Sequence, residues 1–275
     1  MENSKHPNFT FTLLGGAYLV GGLFLGTLLS SLIDLFCKFF LYIEVQKEGW
    51  FMMVSNALVF SLAILFFDYF IVRPTTQKKL SFNLQPTNFY TYLLIFPMML
   101  GMMFIVEYVS ALIPTEGPFF GKYYEFFNQL MNQLTLDPVV MIIMAVIMAP
   151  IFEEIIFRGI IQKGLINKGV NRWSAIVLSA ILFGIVHANP WQFVGALLLG
   201  CVLGVVYERT KSLLLPILLH AFNNLCSSIF VTFVPEETFA EFFKVPKEVI
   251  LGTGLLLFCV FYYLFTRKYK VHYSE

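Results

Sequence analysis

Charge is what this sequence lacks most: Asp, Glu, Lys and Arg make up 13% of its 275 residues, against 58% hydrophobic ones. A soluble domain carries about 25% charged residues, so a water-facing surface cannot be covered from this composition. Paired cysteines are also missing. Cys37, Cys201, Cys226 and Cys259 are scattered through apolar segments with no Cys-x-x-Cys spacing, and they read as small buried hydrophobes, excluding a disulfide framework. Net charge is nearly absent too, at +1, which argues against nucleic acid or acidic substrates as partners. No Gly- or Ser-rich linker, repeat or low-complexity tract interrupts the chain, so one integral membrane domain over 1–275 is the simplest organisation.

What is present is a succession of apolar runs of 18 residues or more, which identifies the bilayer as solvent. The expected fold is all-α: a polytopic transmembrane bundle of about eight spanning helices. The spans are predicted at Phe9–Leu35, Phe51–Val72, Phe89–Ile113, Pro138–Gly164, Trp173–His187, Trp191–Tyr207, Ser212–Val234 and Val249–Thr266. The first is too long for a signal-peptide core and is read as a retained helix. The fifth and sixth are short, and strong tilt or half-burial is the alternative to a simple span. Between the third and fourth, Phe119, Phe120, Tyr123, Phe126, Phe127, Leu130, Met131 and Leu134 recur at helical spacing among polar residues, predicting an interfacial amphipathic helix.

The basic residues orient this topology. With the N-terminus inside, the inner segments hold twelve (Lys5, Arg73, Lys78, Lys79, Lys163, Lys168, Arg172, Arg209, Lys211, Arg267, Lys268 and Lys270). The outer segments hold five: Lys38, Lys47, Lys122, Lys244 and Lys247. Both termini are therefore expected in the cytoplasm of a multi-pass protein, and the compact chain suggests a bacterial cell membrane.

Against this apolar background a few polar residues stand out. The fourth helix carries Glu153, Glu154 and Arg158 where hydrocarbon is expected. Each costs about 2.5–3.5 kcal/mol at a helix centre on insertion scales. Glu154 and Arg158, four apart, can pair along one face. Glu153 lies about 100° round the helix without that partner, and a carboxylate so placed suits general acid–base work. A purely structural network fixing helix packing is an equal reading of the trio taken alone. His187 ends the fifth helix, while His220 and Asn224 share a face of the seventh. A lone histidine in an apolar helix is more often a packing residue, but two beside a doubled glutamate are harder to assign so. His6 and His272 fall in polar tails. At ~1.5 Å per residue from the inner face, Glu153 lies about 16 Å deep, His187 about 21 Å, His220 about 12 Å and Asn224 about 18 Å. These depths allow one constellation near the midplane of a ~30 Å core.

Prolines fall beside it. On α-helical counting Pro150 leaves the Val146 carbonyl without its partner, and Pro216 does the same for Ser212 if the helix already runs there. Ala196, Gly200 and Gly204 form a small-residue face, read as packing only.

Glu153-Glu154-x-x-x-Arg158, Phe183-x-x-x-His187 and His220-x-x-x-Asn224, in this order, resemble the CPBP family of CAAX proteases and bacteriocin-processing enzymes, also called Abi. The resemblance covers a core of about 138–229. It implies an intramembrane endopeptidase in which Glu153 and His187 activate water, His220 and Asn224 stabilise the oxyanion, and Glu154 with Arg158 orients Glu153. The implied partners are membrane lipid and a peptide or protein substrate, prenylated in the best-known relatives. Metal dependence stays open. A metal-free glutamate mechanism is favoured because no His-Glu-x-x-His spacing exists, with Zn²⁺ on Glu153, His187 and His220 as the alternative. Serine and aspartyl intramembrane proteases are disfavoured by the lack of Gly-x-Ser-Gly and Gly-x-Gly-Asp. A proton-coupled transporter and a non-catalytic scaffold or immunity protein remain as competing classes.

Overall fold

The computed structural model describes residues 7–134, 137–234, 236 and 238–268. Lys5, His6, Lys270, His272 and the side chains of Leu134 and Lys268, all used in the sequence reading, lie outside the described residues. Among the described residues every regular element is helical. Besides a 3₁₀ turn at Val45–Lys47, they are in chain order α1 (Leu13–Leu41), α2 (Gly49–Thr76), α3 (Phe89–Ser110), α4 (Phe120–Leu134), α5 (Pro138–Asn167), α6 (Arg172–Ile185), α7 (Pro190–Thr210), α8 (Leu214–Phe233), α9 (Phe239–Phe243) and α10 (Lys247–Lys268).

Seven of the eight expected spans (α1, α2, α3, α5, α7, α8 and α10) are long and apolar enough to cross a membrane. The eighth, α6, has 14 residues, about 21 Å at 1.5 Å per residue and short of a ~30 Å hydrocarbon core. The chain is a multi-pass integral membrane protein, all-α throughout its described residues.

Two compact units divide it, one comprising 1–82 and 151–171, the other 83–150 and 172–275. In the first unit, α1 and α2 pack on glycines. A Cβ built on Gly22 would lie 2.5 Å from the Ala63 Cα, and one on Gly26 would lie 2.5 Å from the Val59 Cα. Hydrogen at these positions lets the two backbones touch, the small-residue route to helix association where water supplies no driving force. At the end of α2, Asp68 is buried but paired. Its carboxylate accepts from Arg73 Nε at 2.8 Å and from the Leu80 backbone N–H at 2.7 Å, tying the following segment down.

The second unit holds a core drawn from α3, α6, α7, α8 and α10, including Ile95, Met98, Met99, Leu203, Val206, Leu215, Leu219 and Phe265. Gly101 and Gly254 bring α3 and α10 into backbone contact, since a Cβ on Gly101 would meet the Phe258 nitrogen at 2.6 Å. The extended chain before α3 is pinned to the loop before α8: Leu213 N donates to Asn83 O at 2.8 Å, and Ser212 Oγ to Gln85 O at 2.7 Å. The aromatic residues of α4 gather on Trp191 at the start of α7, with the rings of Phe120, Tyr123, Tyr124 and Phe127 all within 6.3 Å of it. Phe119, Phe126 and Leu130 stay exposed, as the amphipathic pattern demands.

Candidate active site

The acidic residues belong to the first unit. Arg158 Nη1 donates to Glu154 Oε1 at 2.8 Å, and neither side chain has any exposed surface. A buried charge pair survives only when attraction and hydrogen bonding offset the loss of hydration, which explains why the two residues occur four apart. Arg158 lies in a stretch of wider π geometry, Ile155–Gln162, within α5. The next residue, Gly159, has no side chain because the Phe82 ring occupies that space, 2.5 Å from where a Cβ would sit. Glu153 is half-buried and engaged in an interaction of its own.

The histidines and Asn224 belong to the second unit, where Phe183 organises the two histidines. Its ring meets the His187 imidazole edge-on with centroids 5.0 Å apart, and that of His220 likewise at 5.5 Å. The Phe183 carbonyl oxygen lies 2.7 Å from His187 Nδ1. A carbonyl can only accept, so Nδ1 carries the proton, and in the neutral ring the lone pair is on Nε2. Residue 183 thus sets the tautomer of His187 through its backbone carbonyl and the tilt through its ring, and the ring contact is what calls for a Phe four positions before the His.

His187 is not on the helix, contrary to the sequence expectation: α6 stops at Ile185 and His187 occupies the turn after it. Ala188, with φ +55°, closes that turn. Asn189 then caps α7, its side chain accepting from Gln192 N at 2.8 Å and donating to the His187 carbonyl at 3.1 Å. The sequence reading passed over Asn189, although Asn followed by Pro190 is the signal of an N-cap with Pro in the first helical position. Gly184 completes the corner by admitting the Phe193 ring, 2.8 Å from its absent Cβ.

Asn224 faces α5. Its Nδ2 donates to the Ala145 carbonyl at 2.7 Å, and its Oδ1 accepts from Asn223 Nδ2 at 3.0 Å. Residues Ile143–Met148 are π-helical, with Ala149 N–H bonding five residues back to Met144 O. In that register the donor due to Ala145 O is residue 150, a proline without an N–H. The carbonyl left free is therefore Ala145, not Val146 as α-helical counting had it, and Asn224 supplies the missing donor. For Pro216 the condition that the helix already runs at Ser212 is not met. Helix α8 begins at Leu214, so Pro216 sits in its first turn and Ser212 precedes the helix.

Neither unit by itself assembles a zinc site from its described residues. Zinc takes at least three protein ligands, and no group of three His, Cys, Asp or Glu suited to a metal is gathered. The one fully buried carboxylate of the motif, Glu154, is committed to Arg158.

The fold and these side chains define a class: a polytopic helical membrane protein with paired imidazoles on an aromatic platform and a buried Glu–Arg pair on another helix. Residues 135–226 match the family model described as Type II CAAX prenyl endopeptidase Rce1-like. That segment is about a third of the chain, and over it the chain is similar to the CPBP family. It is similar to the Bacillus subtilis (strain 168) protein named "Putative membrane peptidase YdiL", with 35% identity over 117 residues, or 42% of this chain and 47% of that protein. The Lactococcus lactis subsp. lactis (strain IL1403) protein named "UPF0177 protein YaiF" is 31% identical over 146 residues, 50% of this chain and 63% of that one. "UPF0177 protein YbdI" of the same organism is 32% identical over 89 residues, 32% of this chain and 47% of its own length. The chain thus spans about half the length of two of these relatives and somewhat more of the third. No solved structure matches the chain.

Proposed function

We propose that this chain is an intramembrane endopeptidase that hydrolyses a peptide bond with a water activated by Glu153 and His187. The observation that carries the reading is the hydrogen bond from His187 Nδ1 to the Phe183 carbonyl at 2.7 Å, which leaves Nε2 as a proton acceptor in the neutral ring. In the proposed reaction Glu153 takes a proton from water as the oxygen attacks the carbonyl carbon. The C–O bond forms, the carbonyl oxygen becomes an oxyanion, and the proton passes to the leaving amine as the C–N bond breaks. His187 orients the same water through Nε2. His220 and Asn224 donate to the oxyanion, the task that preorganised donors do best where water is excluded. The Asn224 amide has two hydrogens and gives one to Ala145; the other is assigned to substrate. Glu154 and Arg158 hold the turn of α5 that carries Glu153.

The family match and the printed name of the Bacillus subtilis relative support a peptidase. The proposed substrate is a membrane-inserted peptide, with prenylated peptides as one class to be tried. The proposed location is a bacterial plasma membrane, supported by the bacterial sources of the relatives. The proposed topology has the 14-residue α6 cross as an eighth span. That puts both termini in the cytoplasm and is the arrangement that gives the basic-residue bias. The mechanism is taken as metal-free.

The test mixes purified protein with a membrane-peptide library and compares wild type with Glu153→Ala and His187→Ala. Cleavage lost by at least a hundredfold in both variants is the expected result. Cleavage that persists in both overturns the assignment.

A further inference from the structure

Beside Asn224, on the face of α8 turned toward α3, lies a cavity of about 250 Å³ that the mechanism does not use. Its wall includes Glu107, Asn223, Ser227, Phe230 and Phe239, and no cation is among the described residues that line it. Glu107 is the single acid of α3, placed near the C-terminal end of that helix. Its carboxylate accepts the backbone N–H groups of Phe239 at 2.7 Å and Ala240 at 3.2 Å. A carboxylate has about four lone-pair sites, so two are left for an occupant of the cavity. The Phe230 and Phe239 rings, with centroids 4.6 Å apart, form an aromatic wall next to it. Asn223 joins this cavity to the candidate site, since it also donates to Asn224 Oδ1 at 3.0 Å.

We propose that this cavity is a subsite for a basic side chain of the peptide substrate, the ammonium or guanidinium pairing with Glu107. The inference rests on the endopeptidase reading and names the substrate class it acts on. A carboxylate, amide and hydroxyl beside aromatic rings is a chemistry that recognises an organic cation, since the rings attract cations and the carboxylate makes a charge-assisted hydrogen bond. A peptide is the occupant because the wall residue Asn223 bonds directly to the proposed oxyanion donor. A cationic lipid headgroup shares the chemistry and forms the control arm. If Glu107 served only to cap α9, any acceptor of the same shape would do, and charge would be irrelevant.

The test uses the full-length protein in nanodiscs and membrane peptides carrying one Lys, Arg or norleucine at successive positions around the scissile bond. Wild type is expected to favour Lys or Arg at one position tenfold or more in kcat/KM over norleucine. Glu107→Gln, which retains an acceptor oxygen, is expected to reduce that ratio below threefold. Ser227→Leu, which fills the cavity without touching the α9 contacts, is expected to do the same. A ratio equal in wild type and both variants overturns the subsite while leaving the endopeptidase reading intact. A second readout is binding of a fluorescent Lys peptide to Glu153→Ala protein, expected to weaken tenfold when Glu107→Gln is added. Glu107-dependent binding with no cleavage by wild type supports the subsite and overturns the peptidase reading; neither binding nor cleavage overturns both. Loss of peptide binding when phosphatidylethanolamine replaces phosphatidylglycerol in the nanodisc assigns the cavity to a headgroup and overturns the peptide.

Discussion

The Asn224 amide donates to the Ala145 carbonyl at 2.7 Å, and this is the oxygen that Pro150 leaves without a donor in the π register of α5. The last residue of the His-x-x-x-Asn motif therefore has a structural task whether or not it also meets substrate. An unpaired carbonyl inside an apolar helix bundle is costly, and helix α8 provides the donor.

Replacing Asn224 by Leu is expected to destabilise the protein by about 1–3 kcal/mol, the cost of a buried unsatisfied acceptor. Pro150→Ala restores a backbone N–H and is expected to reduce that cost, giving a coupling of about 0.5–3 kcal/mol in a double-mutant cycle. Thermal unfolding in detergent measures it. Strict additivity would remove the π-register explanation.

Phe183→Leu keeps an apolar side chain but removes the edge contacts to His187 and His220. The expected stability loss is modest, about 0.5–1.5 kcal/mol per aromatic contact, while peptide cleavage falls at least tenfold because His187 loses its tilt. Phe183→Ala adds a cavity and about 3–5 kcal/mol. Activity measured beside the unfolding midpoint separates the two effects. Full activity in the Leu variant would reduce Phe183 to a packing residue.

Breaking the Glu154–Arg158 pair singly is expected to cost about 3–5 kcal/mol, because it strands a charge with no exposure. The double replacement Glu154→Leu/Arg158→Met is expected to recover most of that stability but not cleavage. Recovery of both would mean that the pair has no part in orienting Glu153.

Gly22→Leu and Gly26→Leu each drive a side chain into the α2 backbone. Overpacking of this kind costs about 1–3 kcal/mol and more where backbone must move. Gly21, with open space around its Cβ position, is the control, expected to tolerate Leu within about 0.5 kcal/mol. Unfolding curves that rank the three alike would argue against glycine-mediated packing of α1 and α2.

Cleavage by the purified protein is expected to survive exhaustive chelation with less than twofold loss. Loss of activity restored by added Zn²⁺ would replace the metal-free mechanism.

Composition alone placed this chain in a membrane, because thirteen charged residues in every hundred cannot clothe a soluble surface and apolar runs of spanning length have one solvent that suits them. Spacing alone paired Glu154 with Arg158, since four residues is a little over one helical turn, and the amphipathic face of α4 was legible for the same reason. The tertiary structure decided what depends on register and on distant contacts. The π stretch in α5 moved the free carbonyl from Val146 to Ala145, and only a residue 79 positions away could reveal it. The early stop of α6 put His187 in a turn governed by Asn189, where local counting had extended the helix. Glu107 carries no signal along its own helix, and only folding brings Asn223 to the same cavity. Helical periodicity reports which neighbours lie along one helix, whereas a site made by several helices depends on how their ends and bulges are set, and that information is non-local.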